Sequence, residues 1–301
     1  MSIKPDICVA IPTYNRGEML IDTILDVLKQ SHNNLELIVL DQSVSHDLST
    51  LRGLASIKDK RLRYLKATPP SLPAARNLIL KLSKAPIVLF LDDDVVLHKD
   101  MVKYHLKAFD NNPAISAVAG RVLQKGFPIE KSVLRFDEYG ISHGVFTATN
   151  SAYTNTFPGG NHSIKVKDAL SLGGFDTRYY YNAFREESDM ARRIIKSGMK
   201  IYYEPKAALT HLAAPSGGTR AKKTYSHIYD TPYFYRNEMF FTIRAVERKY
   251  LIASLRKKYH EYCIIPSRKQ GLKRRIYFAV GLFVAVWRQL FGRQIISKVV
   301  S

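Results

Sequence analysis

Residues 86–96 read PIVLFLDDDVV, and no other stretch restricts the fold so strongly. Five consecutive apolar residues, 87–91, stop abruptly at Asp92, Asp93 and Asp94. An unbroken apolar run of this length reads as a strand buried on both faces. In open α/β sheets, ligands collect outside the carboxyl ends of such strands, so the triplet is expected at that edge. Three adjacent carboxylates repel one another unless a cation shares them. Hard oxygen ligands suit Mg²⁺ or Mn²⁺, which complete their shell with substrate phosphate. The triplet therefore points to a metal-diphosphate site, with a solvated acidic turn after a core strand as the plain alternative.

The chain around it alternates strand and helix. Residues 7–11 form a short apolar run ended by Pro12, and Thr13, Tyr14, Asn15, Arg16 and Gly17 lead into a helix. Met19, Leu20, Thr23, Ile24, Val27 and Leu28 follow its 3.6-residue period. A second strand, residues 35–40, ends at Asp41, and a third is expected around residues 63–65. Pro73 opens a helix at a first-turn position, where its missing N–H costs nothing, with Arg76 and Asn77 beside it. After the acidic triplet come a helix with Val102, Leu106 and Phe109 on one side and a strand over residues 115–122. This spacing is that of a doubly wound, mostly parallel sheet.

Residues 123–156 show no period. Order returns at Pro158-Gly159-Gly160-Asn161-His162, before a short run at residues 163–166. A helix is expected over residues 186–197, with Gly198 as its left-handed stop. Glu186, Glu187 and Asp189 crowd its first turn, where the helix dipole favours negative charge. Two short strands, residues 200–203 and 207–211, then precede a glycine-containing loop, residues 215–220.

Charge divides the chain. The formal net charge is +20, but residues 219–301 hold 18 Lys and Arg against 4 Asp and Glu, a net of +14 that leaves +6 for the rest. A block of one sign suggests an interaction surface, with anionic lipid and nucleic acid the obvious partners. A long helix is expected over residues 232–258. Beyond it, Lys273-Arg274-Arg275 and Arg288 bracket twelve uncharged, mostly apolar residues, 276–287. A spanning helix needs about 20 such residues, so this pattern suits a helix lying in the membrane interface or, alternatively, a core helix closing the domain. Cys8 and Cys263 give neither a disulfide framework nor a zinc spacing. With no signal peptide in view, a cytoplasmic protein peripheral to the membrane's cytoplasmic face is expected.

Taken in order, the Pro-Thr-Tyr-Asn loop, Asp41, Arg76, Asp92 to Asp94, Gly159-Gly160-Asn161, Gly173-Gly174-Phe175-Asp176 and Glu186-Glu187-Ser188-Asp189-Met190 resemble the family 2 glycosyltransferases. The resemblance runs from Ile7 to about His211. It implies an α/β fold of the GT-A nucleotide-diphospho-sugar class over residues 1–218, with residues 219–301 as a basic helical extension. It implies that Pro12, Thr13, Tyr14, Asn15 and Asp41 receive the donor's base and ribose, with Arg76 beside the nucleotide. Asp92 to Asp94 match the family's DXD motif. There Asp94 would hold the divalent metal, while Asp92 and Asp93 help with ribose or metal water. His211 is a further candidate ligand, and Arg220 a candidate pyrophosphate contact. Glu187 matches the general base of an inverting transfer to a glycan or lipid-linked hydroxyl, with Glu186 as the alternative base and Asp189 as a helper or a support for the loop. Two other functions stay open at this point. One is a nucleotide-sugar binder without turnover. The other is a basic nucleic-acid binder, against which stands the absence of any zinc-finger or RNA-recognition signature.

Overall fold

The computed structural model of the chain describes residues 4–214, 230–265 and 268–300. Strands β1 (Ile7–Thr13), β2 (Leu35–Asp41), β3 (Leu62–Thr68) and β4 (Ile87–Leu91) form its parallel half, paired β3-β2-β1-β4. Between them run helices α1 (Glu18–Leu28), α2 (Leu48–Ser56) and α3 (Leu72–Leu82). Strand β5 (Val95–Leu97) follows the acidic triplet directly, and α4 (Met101–Asn111) leads to β6 (Ile115–Leu123). The segment without a period holds three short strands, β7 (Arg135–Phe136), β8 (Ser142–His143) and β9 (Ala152–Thr154). Then come β10 (Asn161–Lys165), α5 (Val166–Ser171), α6 (Glu186–Lys196) and β11 (Lys200–His211). Helices α7 (Pro232–Ala245), α8 (Arg248–Tyr259) and α9 (Arg268–Phe291) precede β12 (Lys298–Val300).

Among the described residues, the main sheet has the order β12-β3-β2-β1-β4-β10-β6-β11-β5, with β9 added beside β11. Strands β1, β2, β3, β4, β6 and β11 run one way, while β5, β9, β10 and β12 oppose them. The central strands are buried on both faces, as their unbroken apolar runs require. Cys8, Ala10, Ile38, Val88 and Phe90 pack with Ala75 and Ile79 of α3 and Met190 and Ile194 of α6. The alternate residues Ile7, Val9, Leu37, Leu89 and Leu91 pack with Leu20 and Ile24 of α1 and Met101 and Val102 of α4. Helices on both faces make this the doubly wound α/β sheet that the sequence led one to expect.

Two expectations are corrected, and a third is extended. The two strands anticipated over residues 200–211 are one strand, β11, whose pairing with β6 shifts between Glu204 and Ala208. Asn161 bonds into that irregularity, its Nδ2 donating to Ala207 O at 2.9 Å, so the chain bulges without leaving the sheet. The single helix expected over residues 232–258 breaks at Val246, where the backbone turns extended (φ −80°, ψ 138°), giving α7 and α8. The apolar stretch at residues 276–287 lies inside a longer helix, α9, that packs one face on α7. Phe278, Ala285 and Arg288 are buried there, and a Cβ on Gly281 would overlap the backbone of Tyr235. The opposite face of α9 is exposed and apolar. None of the described helices is long and apolar enough to cross a membrane.

Residues beyond 230 also reach the rest of the chain. Phe234, Phe240 and Phe241 share a core with Tyr179 and Ala183, in the segment before α6. Strand β12 joins the sheet edge at β3, and Ser297 Oγ donates to Pro69 O at 2.8 Å.

Candidate active site

The acidic triplet turns between β4 and β5, and each carboxylate has a different environment. Asp93 is buried. It accepts from Thr13 Oγ1 at 2.6 Å and from Arg16 Nε at 2.8 Å. Burial pushes its carboxyl up to about 6; Arg16 and Thr13 pull it down, while Asp92 and Asp94 add to the rise. Asp94 accepts from the backbone N–H of Ala214 at 2.9 Å and lies 3.2 Å from His211 Nε2. Burial raises Asp94 too, but His211, the Ala214 N–H and Arg16 together leave it below its ordinary value. Asp92 is the open member, its side chain 43% exposed, with Oδ2 3.9 Å from His211 Nε2. A Cβ on its neighbour Gly160 would collide with the Asp92 carboxylate where it now stands and force that side chain to move.

Asp92, Asp94 and His211 bring one donor atom each to within 4.8 Å of one another. His211 Nδ1 sits 2.8 Å from Gln124 Oε1. That acceptor assigns the Nδ1 proton and turns Nε2 toward the carboxylates. A ring nitrogen facing two carboxylates needs either a proton or a cation between them. Two carboxylate oxygens and an imidazole nitrogen suit a divalent ion such as Mn²⁺, so the residues fit a metal.

Glu186 and Glu187 open α6, and the helix sends them to different places. Glu186 is buried and pairs with Arg76 Nη1. Arg76 is itself buried, lies over the rings of Phe90 and Phe175 at 5.5 and 5.4 Å, and donates from Nη2 to Gly159 O at 2.8 Å. Burial holds Arg76 down at about 10, against the pull of Glu187 and Asp92. Glu187 is only half-buried, and its Oε1 accepts from Ser188 Oγ at 2.9 Å. Gly159 faces Glu187, and Gly160 faces Asp92. The glycine turn thus adjoins both the half-buried glutamate and the open aspartate. Asp189 lies in the support structure, accepting from Arg193 and Arg244 at 2.9 Å each.

The expected donor residues gather at the same edge of the sheet, since Thr13, Asp41 and Asp92 end or follow neighbouring parallel strands. Pro12 and Tyr14 are half-buried, and Asn15 is exposed at φ +51°, its N–H bonded to Ser43 Oγ at 2.7 Å. Asp41 has no exposure. It accepts from the Ser43 N–H at 2.8 Å, His46 Nε2 at 2.6 Å, Lys66 Nζ at 2.9 Å and the Tyr64 hydroxyl. Burial would raise this carboxyl, yet the four donors outweigh it and hold it at about 2. Gln42 beside it donates to Pro69 O at 3.0 Å and to Ser297 Oγ at 3.2 Å. Arg220 and the loop at residues 215–220 lie outside the described residues.

Sequence reasoning passed over several of these partners. Arg16 was findable, because three adjacent carboxylates call for a counter-charge and it follows the Pro-Thr-Tyr-Asn loop directly. Gln124, His46, Tyr64 and Lys66 carry no such pattern.

The family model described as Glycosyl transferase family 2 matches residues 8–161, just over half of the chain. The chain belongs to that family. An uncharacterized glycosyltransferase of Rickettsia felis is 35% identical over 126 residues, 41% of this chain and 21% of that protein. The poly(ribitol-phosphate) beta-N-acetylglucosaminyltransferase TarP of Staphylococcus aureus is 33% identical over 132 residues, 42% of this chain and 40% of TarP. This glycosyltransferase-family chain thus spans well under half the length of these curated relatives. Its fold is similar to that of the mannosyltransferase PcManGT from Pyrobaculum calidifontis, solved in complex with GDP-Man and Mn²⁺. The two superpose with a TM-score of 0.59 at 19% identity, covering 97% of this chain and 89% of PcManGT.

Proposed function

We propose that this glycosyltransferase is an inverting, metal-dependent enzyme that moves a sugar from a nucleotide-diphospho-sugar to a hydroxyl of a glycan or lipid-linked acceptor. The observation that carries the reading is the split between the two glutamates. Glu186 is buried on Arg76, whereas Glu187 is only half-buried and lies beside Gly159, next to the Gly160 that adjoins Asp92. A general base must be able to meet a proton, and of the pair Glu187 alone has that access. Glu187 would take the acceptor's proton as its oxygen attacks the anomeric carbon opposite the diphosphate.

Asp92, Asp94 and His211 would hold Mg²⁺ or Mn²⁺, which when bound supplies charge neutralisation for the departing diphosphate. Arg16 and Thr13 fix Asp93, so that Asp92 and Asp94 keep their places on either side of it. Thr13, Tyr14 and Asn15 would receive base and ribose, with Asp41 holding the Ser43 loop against them. Arg76 positions the glycine turn through Gly159 O. Residues 1–218 would carry this chemistry. Residues 219–301 would attach it to the cytoplasmic face of an anionic membrane through the exposed face of α9. Single-turnover transfer by Glu187→Gln tests the mechanism: donor binding intact with chemistry lost supports it, and normal transfer overturns it.

A further inference from the structure

Along α6, from Asp189 in its first turn to Lys196 at its end, a cavity of about 270 Å³ opens between α6, the end of α7 and α9. Its walls carry Arg192, Arg193, Lys196 and Arg244 against one carboxylate, Asp189. That carboxylate is already engaged: Oδ2 accepts from Arg193 Nε and Oδ1 from Arg244 Nε, both at 2.9 Å. Arg244 is engaged as well, through Nη2 to Asp176 at 3.2 Å and Nη1 to Gln289 Oε1 at 3.1 Å.

The other three cations have donors to spare. Arg193 donates from Nη1 to Leu172 O at 2.8 Å, but its Nη2 is buried with no partner among the described residues. Arg192 bonds from Nε to Ala245 O at 3.1 Å, and Lys196 Nζ bonds to Arg244 O at 2.9 Å. Each keeps further N–H groups, since a guanidinium has five and an ammonium three. Lys196 is held below its ordinary value, first by burial and then by the charge of Arg192. Cations near helix C-termini are commonplace because the dipole favours them. That accounts for the bonds to Ala245 O and Arg244 O. It leaves unexplained the gathering of Arg192, Arg193 and Lys196 around one cavity.

We infer that this cavity is a phosphate site, separate from the donor cleft, and that it takes the headgroup phosphate of an anionic lipid. Guanidinium forks match phosphate oxygens in geometry and charge. The lipid is indicated by what borders the cavity. Gln289 closes one wall, and its neighbours on α9, Val286 and Leu290, belong to the exposed apolar face. That face, with Leu272, Ile276 and Phe283, lies opposite the side packed on α7. Acyl chains along it would bring a headgroup to the cavity. This lipid assignment rests on the membrane contact proposed above.

The test pairs vesicle flotation with thermal melting of the full chain. Phosphatidylcholine vesicles with and without phosphatidylglycerol are the lipid probes. Glycerol 1-phosphate at constant ionic strength is the soluble probe, because a ligand of the folded state raises the melting temperature. Arg192→Gln with Lys196→Gln should weaken binding to the anionic vesicles about 30-fold, the worth of two basic side chains near such a surface. Lys58→Gln with Lys60→Gln, exposed residues far along the chain, removes the same charge and should have little effect. Gln289→Glu, which still accepts from Arg244, should melt like the parent yet lose the glycerol-phosphate shift and the vesicle binding. Cavity variants that bind vesicles as the Lys58/Lys60 control does, with no glycerol-phosphate shift in the parent, overturn the site. A glycerol-phosphate shift that the cavity variants abolish while vesicle binding is unchanged overturns the lipid assignment and leaves a site for soluble phosphate. A parent chain that floats with no vesicle refutes the membrane reading and the lipid assignment together, and the melting shift then decides the cavity alone.

Discussion

Arg185 Nε donates to Glu238 Oε2 across 2.6 Å, which ties the residue before the acidic pair to helix α7. Lys258 of α8 reaches the other oxygen of the same carboxylate. Arg185 holds φ +76° and lies over the rings of Phe136, Phe184 and Phe241. Two cations therefore depend on one fully buried anion. Glu238→Gln should cost about 3–5 kcal/mol, the usual penalty for breaking a buried pair, read as a lower urea midpoint at neutral pH. Burial raises the Glu238 carboxyl, but Arg185 and Lys258 pull it down to about 2. A depressed carboxyl stabilises above its unfolded value of about 4.5 and loses that contribution as pH falls toward 2. The stability gap between parent and variant should close over that window, and a gap unchanged down to pH 3 would contradict the assignment.

The two glutamates of α6 should separate chemistry from stability. Glu187→Gln is expected to lower turnover by about 10² to 10⁴, the range for a positioned base, with the melting temperature unchanged. Glu186→Gln leaves Arg76 buried without its anion and should destabilise by several kcal/mol, on the order of 3–5. Melting curves and single-turnover rates measured on both variants decide the matter; a stable, inactive Glu186→Gln would reverse the roles.

Metal binding should follow the burial of its ligands. Asp94→Asn keeps an acceptor for the Ala214 N–H but removes the charge facing His211, and should abolish Mn²⁺-stimulated binding of the donor nucleotide. His211→Ala should weaken it by a smaller factor, with Gln124 left behind. Titration calorimetry with Mn²⁺ and nucleotide checks both, and undiminished stimulation in Asp94→Asn would remove the triplet from the metal site.

Helix α9 should not be removable. Truncation after Gly271 strips Phe278, Gly281, Ala285 and Arg288 from α7 and exposes Tyr235, so an insoluble or early-melting product is expected. The triple variant Phe283→Ser, Trp287→Ser and Leu290→Ser changes the exposed face alone. It should melt like the parent and lose vesicle flotation. A triple variant that still floats normally would place the membrane contact elsewhere.

Sequence made the central sheet readable because its strands are buried on both faces, so that burial alone dictates their composition. Helix α2 went unread for the opposite reason: Leu48 and Leu51 are exposed, and Thr50 is the only residue of that helix that is buried. Residues 123–156 gave no period because β7, β8 and β9 are two or three residues long, too short for alternation to register. Glu204-Pro205-Lys206 read as an interruption of β11, and the shifted pairing with β6 shows that it is a bulge. In the site, the triplet and His211 were visible as chemistry at strand ends. The donors around Asp41 were not, since Tyr64 and Lys66 reach it from a neighbouring strand whose register no local pattern encodes.

The pairing of β12 with β3 has a consequence for self-association. Strand β3 runs seven residues, and without a neighbour its outer side would offer a row of free backbone groups to any second chain. Strand β12 covers Lys66 to Thr68, the end of that rim nearest Asp41 and Gln42. The outermost edge there becomes three residues long and begins with a lysine. Short, charged edges are poor templates for strand addition. A foreign strand is thereby kept from docking beside Asp41 and Gln42, next to the proposed donor cleft.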